Sequence, residues 1–272
     1  MPYTDPARLN IRSATVIASL LIAPQALAAG SFTEALTGGR SSADIRYRYE
    51  TVDQNNTLKN ARASTLRVRL GYETGGFKGF GALLEAEGIA AIGSDRYNST
   101  VNGRTEYSVV ADPAAAEINQ AYLSFSGIPV TKLKYGRQRI MLDNQRFIGN
   151  VGWRQNEQTF DAFTVVNDSL PDMKITAGYI YNVNRVFSDK NPTGNFKMSS
   201  PVFNVNYKGW SAGELAGYGY LLDFANQAAS STETYGLRFK GSSAASSTVK
   251  LLYAAEYASQ ADYRDNPRGF RV

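Results

Sequence analysis

A two-residue alternation of apolar and charged side chains constrains the fold of this chain more than any other feature. In residues 65–73, Leu66 and Val68 alternate with Arg67 and Arg69. Successive side chains of a β-strand point to opposite faces of a sheet, so this segment predicts a strand with one apolar face and one charged face. An amphipathic helix would repeat its apolar residues every three to four positions instead.

The alternation recurs and predicts about eleven strands of roughly ten residues, the length of tilted membrane-spanning strands. Tight turns alternate with longer polar connections at residues 51–62, 93–115, 140–156, 184–199 and 224–231. Short periplasmic turns and long outer loops are typical of outer-membrane barrels. A secreted two-sheet sandwich is the competing fold, but this many long strands would need a very large apolar core. We therefore predict an all-β fold, an antiparallel up-and-down transmembrane β-barrel.

Composition excludes several classes of function. Cysteine and histidine are both absent from the 272 residues. This excludes disulfides, Ser-His-Asp catalysis and zinc sites built from cysteine or histidine. We expect no metal site and no cofactor. The net charge is +5, but no block of lysine and arginine marks a nucleic-acid arm, so we expect no nucleic-acid partner.

The N-terminus has the pattern of a secretory signal peptide. Arg8 and Arg12 precede an apolar run at residues 14–23, and an A-x-A cleavage pattern ends at Ala28. The run is too short to cross a bilayer as a helix, which needs about 20 residues. A buried N-terminal helix is the alternative. We predict a signal peptide at residues 1–28 and one barrel domain at 29–272.

If the apolar face of the strands meets lipid, the charged face lines the interior. Basic side chains in a pore attract anions, and interspersed acids prevent tight trapping. The pore-lining residues predicted from the strands are Arg46, Arg48, Arg67, Arg69, Glu85, Glu87, Asp161, Arg238 and Lys240. The alternative is that these charges pair across strands and stiffen the wall.

One stretch, residues 135–163, has no clean period and carries many charges. Inside a barrel it would form a charged constriction. The charged residues assigned to it are Arg137, Arg139, Asp143, Arg146 and Arg154. Arg137 and Arg139 fall in register with outward-facing residues, and the sequence leaves open whether a bulge or the strand end causes this break.

The same stretch resembles the alginate-export family of outer-membrane porins. The motifs that carry the resemblance are, in order, GRQ at residues 136–138, DNQR at 143–146, WRQ at 153–155 and TFDA at 159–162. The resemblance implies a closed monomeric barrel that passes a substrate through a basic lumen. It implies constriction roles for Arg137, Arg146, Arg154 and Asp161 and wall roles for Arg67 and Arg69. We interpret Trp153 and Phe160 as hydrophobic anchors of an in-folded loop.

These observations predict a channel rather than an enzyme. We expect a monomer in the lipid of a Gram-negative outer membrane, where it lets anionic solutes diffuse or be exported, such as uronate polymers or small carboxylates. A binding or adhesin barrel that acts through its long loops is one alternative. A hydrolase that uses the carboxylates of Glu85 and Glu87, roughly 7 Å apart on one strand face, is another.

The C-terminal end departs from the family pattern. Family members continue with further strands beyond a segment like QADYRDNP, whereas this sequence ends at Val272. Bacterial single-chain barrels have an even number of strands, so about eleven strands leave an open edge. We therefore interpret the chain as an incomplete barrel, from a gene truncated or frameshifted after Pro267.

Overall fold

A computed structural model describes residues 9–22 and 30–272 and shows one antiparallel sheet. Its twelve strands pair only with their neighbours in chain order, with β1 and β12 at the two edges of the described sheet. The strands are β1 Leu9–Ile22, β2 Arg40–Gln54, β3 Ala61–Glu73, β4 Phe80–Arg96, β5 Ala115–Phe125, β6 Thr131–Gln138, β7 Thr159–Asn167, β8 Met173–Asn184, β9 Asn195–Trp210, β10 Gly213–Leu222, β11 Thr232–Ala244 and β12 Lys250–Asp262. The predicted all-β, up-and-down fold is confirmed, and β2–β12 correspond one to one to the predicted strands.

The first strand was not predicted. Leu9–Ile22 pairs with β2 from Leu9 opposite Gln54 to Ile22 opposite Ser41. It contains most of the apolar run that we interpret as the core of a signal peptide. An unpaired strand edge offers free N–H and C=O groups, and an apolar run can satisfy them by pairing. The predicted cleavage site after Ala28 lies outside the described residues, and the signal peptide stays a prediction.

The two ends of the sheet carry different connections. The short connections are residues 74–79, 126–130, 168–172, 211–212 and 245–249, and all lie at one end. The connections at the opposite end are residues 55–60, 97–114, 139–158, 185–194 and 223–231, of which the first has six residues and the other four have nine to twenty. Gly213 shows why one tight turn needs glycine. Its φ is +152°, and a Cβ there would lie 2.3 Å from the carbonyl oxygen of Lys240.

The two faces of the sheet differ in the way the alternation predicts. On one face apolar side chains are exposed, including Leu70 (61%), Leu123 (61%) and Tyr257 (74%). On the other face polar side chains such as Arg67 and Asn204 are buried. An exposed apolar face that extends over every strand suits a lipid environment rather than water.

Helical structure is confined to two short segments of the described chain. Helix α1 (Phe32–Thr37) is capped by a reciprocal pair of hydrogen bonds between Ser31 and Glu34, and a 3-10 turn spans Ala228–Ser230. In the described ranges, no helix has the length and hydropathy needed to cross a membrane.

The connection between β6 and β7, residues 139–158, lies against the inward face of the sheet. We call it the inserted loop. One part of it contacts β2 and β3, and another part contacts β9, β10 and β12. The loop therefore reaches two separate parts of the wall.

Candidate functional site

Residues 152–157 of the inserted loop are held by arginines that project inward from β2 and β3. We call Arg46, Arg48, Arg67 and Arg69 the guanidinium anchor. Arg46 donates from Nε to Oε1 of Gln155 and from Nη1 to the carbonyl oxygen of Gly152, both at 2.8 Å. Arg48 donates to the carbonyl of Trp153, and Arg67 to that of Gln155. All four anchor side chains are buried.

Gln155 is the centre of this contact. Its side-chain Nε2 donates to Oγ1 of Thr65 at 2.9 Å and to the Thr65 carbonyl at 3.1 Å. Its backbone N–H donates to Oδ1 of Asp112 at 2.9 Å. Gln155, Thr65 and Asp112 are almost completely buried. Because a buried polar group without a partner is costly, this interlocking set fixes one position of the loop.

Buried carboxylates balance the anchor. Glu50 pairs with Arg48 and Arg154, and Asp112 lies 3.5 Å and 3.6 Å from the same two guanidinium groups. Arg67 pairs with Asp44. The pair of Arg67 and Asp44 joins β3 to β2, which is the cross-strand pairing that the sequence left as an alternative. The pairs of Arg48 and Arg154 lie within β2, between β2 and a connection, or between two connections.

Glu157 ends the polar part of the loop and joins it to the wall. It lies 3.2 Å from Nη1 of Arg69, pairs with Arg139, and accepts a hydrogen bond of 2.6 Å from Asn119. Burial would raise the pKa of Glu157, but Arg69, Arg139 and Asn119 outweigh it and hold that pKa below its ordinary value. At Asp112 the balance is reversed, because burial raises its pKa in spite of Arg154, the Gln155 N–H and Arg48.

The other part of the loop, residues 140–148, is held mainly by apolar packing. We call it the apolar anchor. Ile140 and Ile148 are buried in a cluster with residues of β7–β10, among them Ile180 and Tyr220. Asp143 adds a polar contact by accepting hydrogen bonds from Asn204 (2.6 Å) and from Tyr220 (3.2 Å).

Phe160 packs in the same cluster, as its interpretation as an anchor requires. The same interpretation of Trp153 is wrong. Its side chain is 59% exposed, and the Arg154 guanidinium lies over the ring at 4.2 Å from its centroid. The exposed indole and Arg146 line a cavity of about 640 Å³ with Phe147, Asn150 and Gln158. The cavity lies between the two anchored parts of the loop.

Arg137 and Asp161 do not line the interior, and this corrects the prediction. They lie opposite each other on β6 and β7, on the same face as the exposed Tyr135, and their side chains are 2.8 Å apart. The preceding Gly136 has a φ of +125°, and a Cβ there would meet the Ala121 carbonyl oxygen at 2.3 Å.

The break in the pattern is therefore a strand end, since β6 stops at Gln138. Arg139 lies beyond the end and turns inward, where it reaches Glu85 and Glu157. At the same time Asp161 accepts hydrogen bonds from Asn182 and Asn184 on β8. On the outward face, the carboxylate of Asp161 is therefore bound by Arg137, Asn182 and Asn184.

The remaining predicted residues face inward in pairs. Glu87 pairs with Arg69, and Glu85 lies 2.6 Å from Arg139, so an arginine holds each carboxylate of the supposed hydrolase pair. Among the described residues, no cluster of three histidine, cysteine, aspartate or glutamate side chains could hold a metal ion. Arg238 lies 3.0 Å from Glu256, and Lys240 lies 3.3 Å from Glu214.

Several inward-facing cations make no close ion pair. Arg146 is 64% exposed at its side chain, and its closest carboxylate oxygen, on Glu256, is 4.0 Å away. Lys132, Lys134 and Lys174 project inward near the short-connection end, since β6 and β8 begin there. Lys132 and Lys174 are exposed, whereas the Lys134 ammonium group lies over the Tyr122 ring at 4.2 Å from its centroid. In residues 9–22 and 30–272, these three lysines have no carboxylate within 4.0 Å. Strand alternation places them on the charged face, but only the structure separates them from the buried arginines.

Fold and inserted loop together are those of outer-membrane β-barrel porins. The sequence matches the alginate export family over residues 40–262, and the chain belongs to this family. The resemblance inferred from the motifs is confirmed, as is the location in the Gram-negative outer membrane. A search of curated protein sequences gave no match.

Solved structures of outer-membrane proteins show the same fold. OccAB3 of Acinetobacter baumannii superposes with a TM-score of 0.68 at 13% identity, covering 87% of this chain and 61% of that one. OccD3 (OpdP) of Pseudomonas aeruginosa gives 0.61 at 18% identity, covering 92% and 54%. OpdK of Pseudomonas aeruginosa, solved with vanillate, gives 0.63 at 14% identity, covering 87% and 60%. The chain thus spans between half and two thirds of their length.

Proposed function

We propose that this outer-membrane channel passes anionic solutes, with a preference for carboxylates. The observation that carries the proposal is the group of inward lysines Lys132, Lys134 and Lys174, which have no carboxylate within 4.0 Å in the described part of the chain. Unpaired cations along a channel raise the local concentration of anions and favour their passage. We therefore assign the pore-lining role to these lysines and Arg146, and not to the guanidinium anchor.

The cavity beside the inserted loop supports a carboxylate. Arg146 offers an exposed guanidinium, whose planar fork matches a carboxylate, and Trp153 offers an exposed ring on which a flat solute or a sugar can stack. OpdK was solved with vanillate, an aromatic carboxylate. That ligand agrees with the chemistry of this cavity and supports the proposal for small carboxylates as well as for uronates.

The membrane supplies the remaining partner. The outward apolar face would contact lipid along every strand. Pairing of strands only with chain neighbours supports a wall built within one chain, so we propose a monomer. With an arginine on each of Glu85 and Glu87, the arrangement favours passive passage over hydrolysis.

Reversal potentials across planar bilayers in a salt gradient test the proposal. The refolded protein should prefer anions, and the triple substitution K132Q/K134Q/K174Q should lower the anion-to-cation permeability ratio severalfold. Lys197→Gln is the matched control, because Lys197 is an exposed lysine of β9 on the outward face. A ratio that the triple substitution leaves unchanged would place selectivity elsewhere.

Two arginine variants separate solute contact from loop anchoring. Arg146→Glu should lower the permeability ratio while the fold stays intact, because Arg146 is exposed. Arg154→Glu should release the loop, because Arg154 is held between Glu50 and Asp112. Fluorescence of Trp153 in a Trp210→Phe background reports the loop position in both variants, because these are the two tryptophans of the chain.

A further inference from the structure

A second cavity, of about 240 Å³, lies between the inserted loop and the long-connection ends of β8, β9 and β10. Its walls are largely apolar and include Ile148, Phe160, Met198 and Phe224. Phe147 and Gln158 border both cavities, so they separate this one from the cavity of Arg146 and Trp153. The second cavity is thus separate from the first and lies at the long-loop side of the barrel.

One cation belongs to this cavity. Arg185, the first residue after β8, contributes to its lining. The guanidinium carbon lies 4.4 Å from the centroid of the Phe196 ring and 4.6 Å from that of Phe187. Nη1 donates to the Thr193 carbonyl at 2.8 Å, which holds the group in place.

The guanidinium is held by aromatic rings and a carbonyl rather than by an acid. Within the described ranges, no carboxylate oxygen lies within 4.0 Å of Arg185, and neither Nε nor Nη2 makes a hydrogen bond. Burial lowers the pKa of Arg185, with no acid to offset it. A half-buried cation without a counter-ion is costly, and so is an unfilled apolar cavity. One ligand with an apolar body and an anionic head would relieve both costs.

We propose that this cavity binds a monocarboxylate with an apolar ring, its carboxylate on Arg185 and its ring among the apolar walls. The inference rests on the proposed function, because it requires that an anionic solute reaches the long-loop side of the barrel. It adds a site that holds the solute before or beside the constriction. A uronate fits poorly, because Gln158 is the one polar neighbour among the other lining residues and the sugar hydroxyls would lose their hydrogen bonds.

The test is ligand binding to the refolded protein in lipid nanodiscs, followed by ¹⁹F NMR of 4-fluorobenzoate. Glucuronate and benzamide are the competitors, because the first keeps the charge on a polar ring and the second keeps the ring without the charge. We expect benzoate to displace the probe and both competitors to fail. Equal displacement by glucuronate would overturn the proposal, as would absence of fluorobenzoate binding.

Variants locate the bound probe. Arg185→Gln should weaken binding by about tenfold or more, as expected for loss of a charge-assisted pair. Lys190→Gln, an exposed cation in the same connection, should leave binding unchanged. Met198→Phe, which narrows the cavity, should weaken binding and keeps the test decisive where Arg185→Gln does not fold. Native affinity in both Arg185→Gln and Met198→Phe would overturn the assignment.

The reversal potentials distinguish the two proposals. Binding at Arg185 without anion preference contradicts the channel proposal and leaves the cavity standing. Anion preference without fluorobenzoate binding supports the channel proposal and overturns the proposed binding cavity.

Discussion

The two anchors of the inserted loop hold neighbouring parts of one segment by different physical means. The apolar anchor places Ile140 and Ile148 in a cluster with β7–β10. The guanidinium anchor holds Gln155 and its neighbours by hydrogen bonds and buried ion pairs with β2 and β3. Apolar burial is non-directional and tolerates small shifts, whereas hydrogen bonds and ion pairs require one geometry.

The difference shows how the exposed groups are placed. Both anchors hold the loop by groups other than the side chains of Arg146 and Trp153. Ile140 and Ile148 pack on one side, and arginines bind the backbone carbonyls of residues 152–155 on the other. Arg146 and Trp153 stay exposed as a result and line the cavity. The buried arginines position the loop, and under the proposed function the exposed cations are the groups that meet the solute.

Glu157→Gln should be the most damaging single change. It removes the charge that Arg69 and Arg139 share, in a position that is 3% exposed. Breaking a buried ion pair from one side costs about 3 kcal/mol or more, because the remaining charge is uncompensated. Urea unfolding in detergent micelles measures this loss. Glu106→Gln, at an exposed glutamate in another connection, should change the free energy of unfolding by less than about 0.5 kcal/mol.

Ile148→Ala tests the apolar anchor. Ile148 is almost completely buried, so the change should lower the free energy of unfolding by about 2–3 kcal/mol through lost burial and the cavity left behind. Met141→Ala is the control, since Met141 is exposed in the same loop. If Ile148→Ala cost no more than Met141→Ala, packing would not hold this part of the loop.

The pH dependence of the two anchors should also differ. The pKa of Glu157 is held below its ordinary value of 4.5 in the folded protein. Its contribution is therefore fully present above pH 4.5 and is lost as the pH falls through the lower folded value. The stability difference between the native protein and Glu157→Gln should shrink as the pH falls below about 4.5, while the difference for Ile148→Ala should persist. A constant Glu157 difference down to pH 3 would show that the carboxylate charge does not hold the loop.

The strands could be predicted because the alternation is local. Each of β2–β12 carries its own period-two pattern. The segments between these patterns give the lengths of the connections directly. The alternation alone places Arg137 outward, in register with Tyr135, whereas the family resemblance assigns Arg137 and Asp161 to the constriction. Pairing of β6 with β7 continues through Gly136 to Gln138, so Arg137 keeps its outward register and Asp161 lies opposite it.

The site could be predicted only in part, for a different reason. Alternation assigns Arg67 and Lys174 equally to the inward face, since it carries no information on what covers that face. The inserted loop covers the first and leaves the second open. Likewise, Gln155 stands in a recognised motif, but its pairing with Thr65 joins positions 90 residues apart and has no local signal.

Thiol modification measured by single-channel conductance tests whether the inserted loop buries the β2–β3 wall and leaves Lys132 and Lys174 open. The protein has no cysteine, so a single introduced thiol reports one position. An anionic methanethiosulfonate should modify Lys174→Cys and lower the conductance, and should leave Thr65→Cys unmodified, since Thr65 lies beneath Gln155. Modification of Thr65→Cys at the rate of Lys174→Cys would show that the inserted loop does not cover the β2–β3 wall.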